Sequence, residues 1–182
     1  MIPLKNVFLV IFLAVANLSL AQSKDEELLN WSASRKLTWK DFTASPDRTS
    51  SNAALTSSSI NVEFGYNKSG LTYTIKCRFN KNLSWGRIKN DYILAHEQGH
   101  FDISELYARM LYKSLKEYSF NSRTVNKDIN DLYNAMMKEH RDMQQLYDLE
   151  TDHSRDASQQ DRWEIKISEL LDKYKDFAGY KS

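Results

Sequence analysis

The sequence predicts an α+β domain: a small antiparallel sheet in the N-terminal half, packed by long helices in the C-terminal half. Three observations lead there. Between residues 60 and 80 apolar and polar residues alternate, which is the period of half-buried strands. Beyond Gly86 the spacing of apolar residues lengthens to that of a helix. Strands come first and helices afterwards, the order of a sheet covered by helices on one face rather than the alternation that builds a parallel sheet. With 182 residues, 41% hydrophobic and 12% aromatic, the chain can build one core and is too short for two.

The first residues stand apart. Lys5 supplies a basic start, residues 7–16 are apolar and uncharged, and Ser19 and Ala21 put small residues at −3 and −1 of a cut before Gln22. This is the pattern of a secretory signal peptide, and the apolar run is too short to span a bilayer. Residues 1–21 are therefore expected to be removed, leaving residues 22–182 as one exported domain, periplasmic or secreted, with no stable membrane insertion. Without Lys5, the remaining 24 Lys and Arg balance 24 Asp and Glu, so the charge gives no reason to expect nucleic acid. The lone cysteine, Cys77, cannot form an internal disulfide. It shares the apolar face of residues 71–80 with Leu71, Tyr73, Ile75 and Phe79, so it is expected to be buried and inert.

Taken in order, residues 37–42 (LTWKDF) read as a short strand or extended segment, and residues 43–52, with Pro46, as a polar loop. Ile60, Val62, Phe64 and Tyr66 mark one strand. Asn67-Lys68-Ser69-Gly70 is turn chemistry, and residues 71–80 return as the second strand of a hairpin with one wet face. Asn90 is an N-cap for a helix running to about Glu117, with His96, His100, Ile103, Tyr107, Met110 and Leu111 on its inward stripe. Residues 119–124 break it. A second helix carries Val125, Ile129, Leu132, Met136, Met143 and Tyr147 on one face, and a third covers about residues 158–177 with Trp163, Ile167, Leu170, Leu171 and Tyr174 inward. Trp39, Trp85 and Trp163 are expected to anchor the core.

Inside the first helix lies His96-Glu97-Gln98-Gly99-His100, an HExxH sequence. Residues four apart sit one turn apart on the same face, so both imidazoles can converge on one tetrahedral Zn2+. Glu97 is rotated about 100° from His96. It is placed to act as general base toward a water that a zinc ion would activate. Gly99 is expected to permit close packing against the helix. A catalytic zinc needs a third protein ligand, and the remaining histidines are His140 and His153. If the helices reverse near Asn121, His96 and His100 lie level with roughly residues 142–146. His140 falls just before that window and His153 just past it, and counting does not separate them. Asp148 could donate an oxygen to the metal or orient a ligand histidine, and the second role is preferred. Tyr147 could stabilise an oxyanion, but on an apolar stripe a core role is preferred. Asp102 and Glu105 point to other sides of the helix; they could cap or pair with neighbouring segments, and by default are expected to be solvated or to support the ligands from behind.

The run from His96 to Glu105 resembles the signature of the bacterial DUF922 family. Residues 37–42 resemble that family's L-x-W-x-D-F pattern, and residues 147–153 (YDLETDH) its Y-D-x-x-T-x-H stretch, followed by Gln160 and Trp163 where the family has a downstream Gln and Trp. Ser154 stands where the family has glycine. The resemblance implies a secreted zinc-dependent protease, and it implies His153 as the third ligand, because His153 lies in a matched motif and His140 does not. The expectation is thus an exported zincin-like hydrolase acting on a peptide or protein substrate. His96, His100 and His153 would hold Zn2+, Glu97 would be the general base, and residues 71–80 would pair with extended substrate. Two alternatives stand beside it: a non-catalytic module braced by zinc, and an amidase of cell-wall peptides.

Overall fold

A computed structural model of the chain describes residues 27–180; the signal-peptide reading, on residues 1–21, lies outside them. The order of elements is β1 (Leu28–Asn30), β2 (Ala54–Leu55), β3 (Ser58–Asn67), β4 (Gly70–Asn80), β5 (Trp85–Gly86), α1 (Asp91–Glu117), α2 (Val125–Glu150) and α3 (Ala157–Lys173), with a 3₁₀ stretch Lys175–Tyr180 closing the chain. It is an α+β arrangement with a small antiparallel sheet and three long helices.

The β3–β4 hairpin forms where the alternation places it, with Ile60 opposite Cys77 and Val62 opposite Ile75. Its turn is closed by Gly70, whose φ of 123° lies in a region that side chains disfavour, and by the Asn67 side-chain Oδ1 accepting from the Ser69 N–H. Ile60, Ile75, Cys77 and Phe79 face inward and are buried, so Cys77 occupies the apolar face that its spacing assigns it. A third strand joins them. β1 pairs antiparallel with the far end of β4, Leu29 opposite Phe79, and makes the order β1-β4-β3. Three residues carry too little alternation to announce a strand, and tertiary pairing alone creates it. β4 is thus paired with β3 along residues 70–79 and with β1 only at residues 78–80.

Residues 37–42 are also not a strand. Trp39–Asp41 form a single 3₁₀ turn, because the Thr38 N–H and hydroxyl both donate to Asp41 Oδ2 (2.8 and 3.0 Å) and close a local ring. Arg35 pairs with the other oxygen of Asp41 at 2.7 Å. Burial pushes the Asp41 carboxyl up, but these donors outweigh it and hold it below its ordinary value.

Helix α1 starts where Asn90 caps it, the side chain accepting from the Ile93 N–H at 2.8 Å. It runs through the core: every residue from Phe101 to Arg109 is buried, as expected of a helix enclosed by a sheet and two further helices. Helix α2 returns antiparallel to α1 after the break at residues 119–124, and α3 follows a tight turn at residues 151–156. The third helix stops at Lys173, earlier than its apolar stripe suggested, and the rest tightens into the 3₁₀ stretch. Trp85 and Trp163 are buried, Trp39 only partly. Trp31, which periodicity does not single out, is as buried as they are.

The acidic residues on the inner part of α1 pair with neighbouring segments instead of facing water. Asp102 accepts from the Trp31 indole N–H and lies 3.2 Å from Lys36 Nζ. Glu105 is fully buried, with Arg109 Nε at 2.9 Å and the Tyr180 hydroxyl against its other oxygen. The expected solvation of Glu105 is corrected by this closure: two buried partners satisfy its charge, which is what permits burial at all. Among the described residues no helix is long and apolar enough to cross a membrane.

Candidate metal centre

The centre is assembled where α1 and α2 lie side by side. His96 and His100, one turn apart on α1, both aim inward, and α2 presents Asp148 opposite them. The three donor atoms form a nearly equilateral triangle. His96 Nε2 and His100 Nε2 are 3.2 Å apart, and Asp148 Oδ1 lies 3.2 Å from the first and 3.1 Å from the second. Donors about 2.0–2.1 Å from a tetrahedral zinc stand about 3.3 Å from one another. Two imidazole nitrogens and one carboxylate oxygen at this spacing therefore fit one face of such a coordination shell. Among the described residues this is the group of histidine and carboxylate donors close enough to hold an ion.

The electrostatics favour a positive charge at this place. Burial pushes the His100 imidazole down, but Asp148 and Glu97 overcome that and hold it above its ordinary value. Burial pushes Asp148 up, and its contacts with His100 and His96 pull it far below the usual carboxylate range. The far sides of both rings are engaged: His96 Nδ1 lies 2.9 Å from Gln160 Oε1, and His100 Nδ1 lies 2.6 Å from Gln144 Oε1.

Glu97, on the turn between the two histidines, is 4% exposed, and its Oε2 is buried without a hydrogen-bond partner. Burial raises its carboxyl above the ordinary value, with His100, Thr56 and His96 pulling the other way. An unpartnered buried carboxylate oxygen is costly and calls for an explanation from the site itself. It lines, with the triad, a cavity of about 440 Å³ whose other wall is the segment from Asn52 to Ser58, tethered to α1 by the Thr56 hydroxyl donating to the Glu97 carbonyl at 3.1 Å.

Tyr147 and Gly99 set the distance between the helices. Tyr147 is fully buried, its ring stacked on His96 at 4.5 Å and edge-on to Trp163 at 5.3 Å. Its hydroxyl donates to the His96 carbonyl at 3.2 Å and accepts from Gln160 Nε2 at 3.0 Å. A Cβ on residue 99 would lie 2.8 Å from the Tyr147 ring, so only glycine allows this approach. The hydroxyl is thus spent on packing, in keeping with the core role preferred for it, and burial raises it far above the ordinary phenol value.

The remaining sequence candidates are placed as follows. His153 lines the cavity, but its Nδ1 is 3.5 Å from Asp148 Oδ1, it is about half exposed, and it stays outside the three-donor cluster. It sits in a turn of three consecutive non-glycine residues with positive φ, Asp152, His153 and Ser154. His140 also lines the cavity, yet its Nε2 faces Ser104 Oγ and Gln144 Nε2, both at 3.0 Å. Burial first, and the neighbouring Arg141 second, pull His140 down to about 4. The position opposite the two histidines belongs to Asp148, which sequence reasoning gave an orienting role. Gln144 falls inside the window of residues 142–146 expected level with His96 and His100, and Asp148 lies two residues past it.

These features define an α+β domain with a donor triad set at the floor of a cleft. The chain belongs to a family described as bacterial protein of unknown function (DUF922), whose sequence profile matches residues 29–154. That span contains residues 37–42, the HExxH helix and residues 147–153, while Gln160 and Trp163 lie past its end. No curated protein and no solved structure matches the chain.

Proposed function

We propose that this protein is an exported zinc-dependent hydrolase, a peptidase, with its centre at His96, His100 and Asp148 and with Glu97 as the proton-transferring group. The carrying observation is the juxtaposition itself: three donors 3.1–3.2 Å apart and a buried carboxylate oxygen without a partner line one cavity. A zinc ion held there would supply Lewis-acid polarisation of a carbonyl and a lowered pKa for water. Glu97 Oε2, with no competing hydrogen bond, is free to take the proton of an attacking water and to return it to the departing nitrogen. The segment from Asn52 to Ser58 forms the wall along which a substrate backbone can lie, and the Thr56 tether fixes that wall against the helix bearing Glu97. A bracing role would call for a closed set of four protein ligands. Three donors on an open cleft, with a carboxylate beside them, support catalysis instead. The zincin-like character of the fold and the export belong to the same reading, the latter supported by the pattern of residues 1–21.

Glu97→Gln tests the assignment. The variant should keep its zinc and lose at least about 10²-fold in turnover of a fluorogenic peptide library, the scale of a lost general base. Loss of the metal would recast Glu97 as part of the donor set, and undiminished turnover would refute the peptidase reading.

A further inference from the structure

We propose that Gln144 and Gln160 are positioning residues that lock His100 and His96 in the tautomer able to ligate, and that they thereby set the metal affinity of the centre. The inference rests on the zinc-site reading above. An amide side chain can be turned either way about its last torsion, so which end faces a histidine must come from its other contacts. Both orientations are fixed here. Gln144 Nε2 lies 2.9 Å from the backbone carbonyl of His100, which only accepts, so this end is the donor and Oε1 faces His100 Nδ1 at 2.6 Å. Gln160 Nε2 lies 3.0 Å from the Glu164 carboxylate, which again only accepts, so Oε1 faces His96 Nδ1 at 2.9 Å. An amide oxygen requires a proton from its partner. Each Nδ1 therefore carries a ring hydrogen, which leaves Nε2, on the side of Asp148 Oδ1, as the nitrogen able to ligate an ion.

The two braces are anchored in different parts of the molecule. Gln160 is fully buried on α3 and is also bonded to the Tyr147 hydroxyl, so it ties the third helix to the ring stacked on His96. Gln144, on α2 one turn before Asp148, also contacts Ser104 Oγ at 3.3 Å and His140 Nε2 at 3.0 Å, and Ser104 in turn meets Ser58 of β3 at 2.7 Å. His96 is thus oriented from the helical side and His100 from the sheet side. This gives α3 and His140 a share in the centre without contact with the ion.

Two readouts test this. In the zinc-loaded full-length chain, long-range ¹H–¹⁵N correlation spectra of the histidine side chains should show His96 and His100 with the hydrogen on Nδ1 and Nε2 on the metal. Gln144→Met keeps the length of the side chain and removes the acceptor. It should weaken zinc, measured by competition with a chromophoric chelator, by about 10–100-fold, the usual cost of losing such a partner. Gln144→Glu, which retains an acceptor oxygen, should restore most of the affinity. Gln160→Met should act in the same way on His96; if that buried change prevents folding, the Gln144 pair decides. A wild type that binds zinc tightly, with Gln144→Met equal to it within twofold or with Nε2–H tautomers at both histidines, overturns the proposal and leaves the centre standing. A wild type that binds no zinc overturns the centre itself.

Discussion

Gly99→Ala is the sharpest probe of how the two central helices meet. An added Cβ would stand 2.8 Å from Tyr147 Cζ and 3.1 Å from Cε1, closer than packed carbons tolerate. The ring cannot retreat easily: it is fully buried between His96 and Trp163, and its hydroxyl is pinned to the His96 carbonyl and to Gln160. Overpacking of this kind costs about 1–3 kcal/mol, and the rigid surroundings put the site at the upper end. The gain in helix propensity on replacing glycine by alanine offsets about 1 kcal/mol. A net loss of about 2 kcal/mol corresponds to a drop of about 4–8 °C in Tm for a chain of this size. Thermal unfolding by circular dichroism reads it directly. Tyr147→Phe removes the nearest obstructing atom, so the double variant should be less destabilised than the sum of the singles, by about 0.5 kcal/mol or more. A Gly99→Ala protein as stable as wild type, or strict additivity in the cycle, would refute the packing of α1 against α2 at the centre.

Two further predictions concern the histidines on the cavity wall. His153→Ala should keep its zinc within about tenfold, since its ring stands outside the donor cluster, and His140→Ala should do so too; quantitative metal loss in His153→Ala would move a ligand onto the strained turn. His140 also sets a pH dependence. Held near 4 by burial and by Arg141, it binds fewer protons folded than unfolded, so its contribution to stability is complete above about pH 6.5 and is lost as pH falls from there through 4. In metal-stripped protein, His140→Gln should flatten the decline of Tm across that window, and an unchanged profile would show that His140 titrates normally.

How far the sequence reveals this molecule depends on the range of the interactions. The hairpin and the three helices were legible because alternation, helical periodicity and the Asn67–Gly70 and Asn90 signals are local. β1 was not, since three residues become a strand only through pairing with Phe79 and its neighbours. Nor was the turn at residues 39–41: the apolar pattern of 37–42 suits a strand, and only the reach of Asp41 back to Thr38 curls it. At the centre, His96 and His100 announced themselves by spacing within one helix. Asp148 lies on another helix 48 residues beyond His100, and its partnership depends on the register between α1 and α2, which Tyr147 and Gly99 fix through packing. Gln144 carries no signature that distinguishes a bracing amide from a surface one, and although the family resemblance singles out Gln160, its contact with His96 is seen only in the structure.

The central claim is that His96, His100 and Asp148 together hold a zinc ion. Its most direct test is the metal content of purified protein by inductively coupled plasma mass spectrometry, for wild type and for Asp148→Ala after equal exposure to zinc and desalting, with circular dichroism confirming that both are folded. The account predicts stoichiometric zinc in the wild type and its near-complete loss in Asp148→Ala. A wild type without bound metal, or an Asp148→Ala protein that retains stoichiometric zinc, would contradict it.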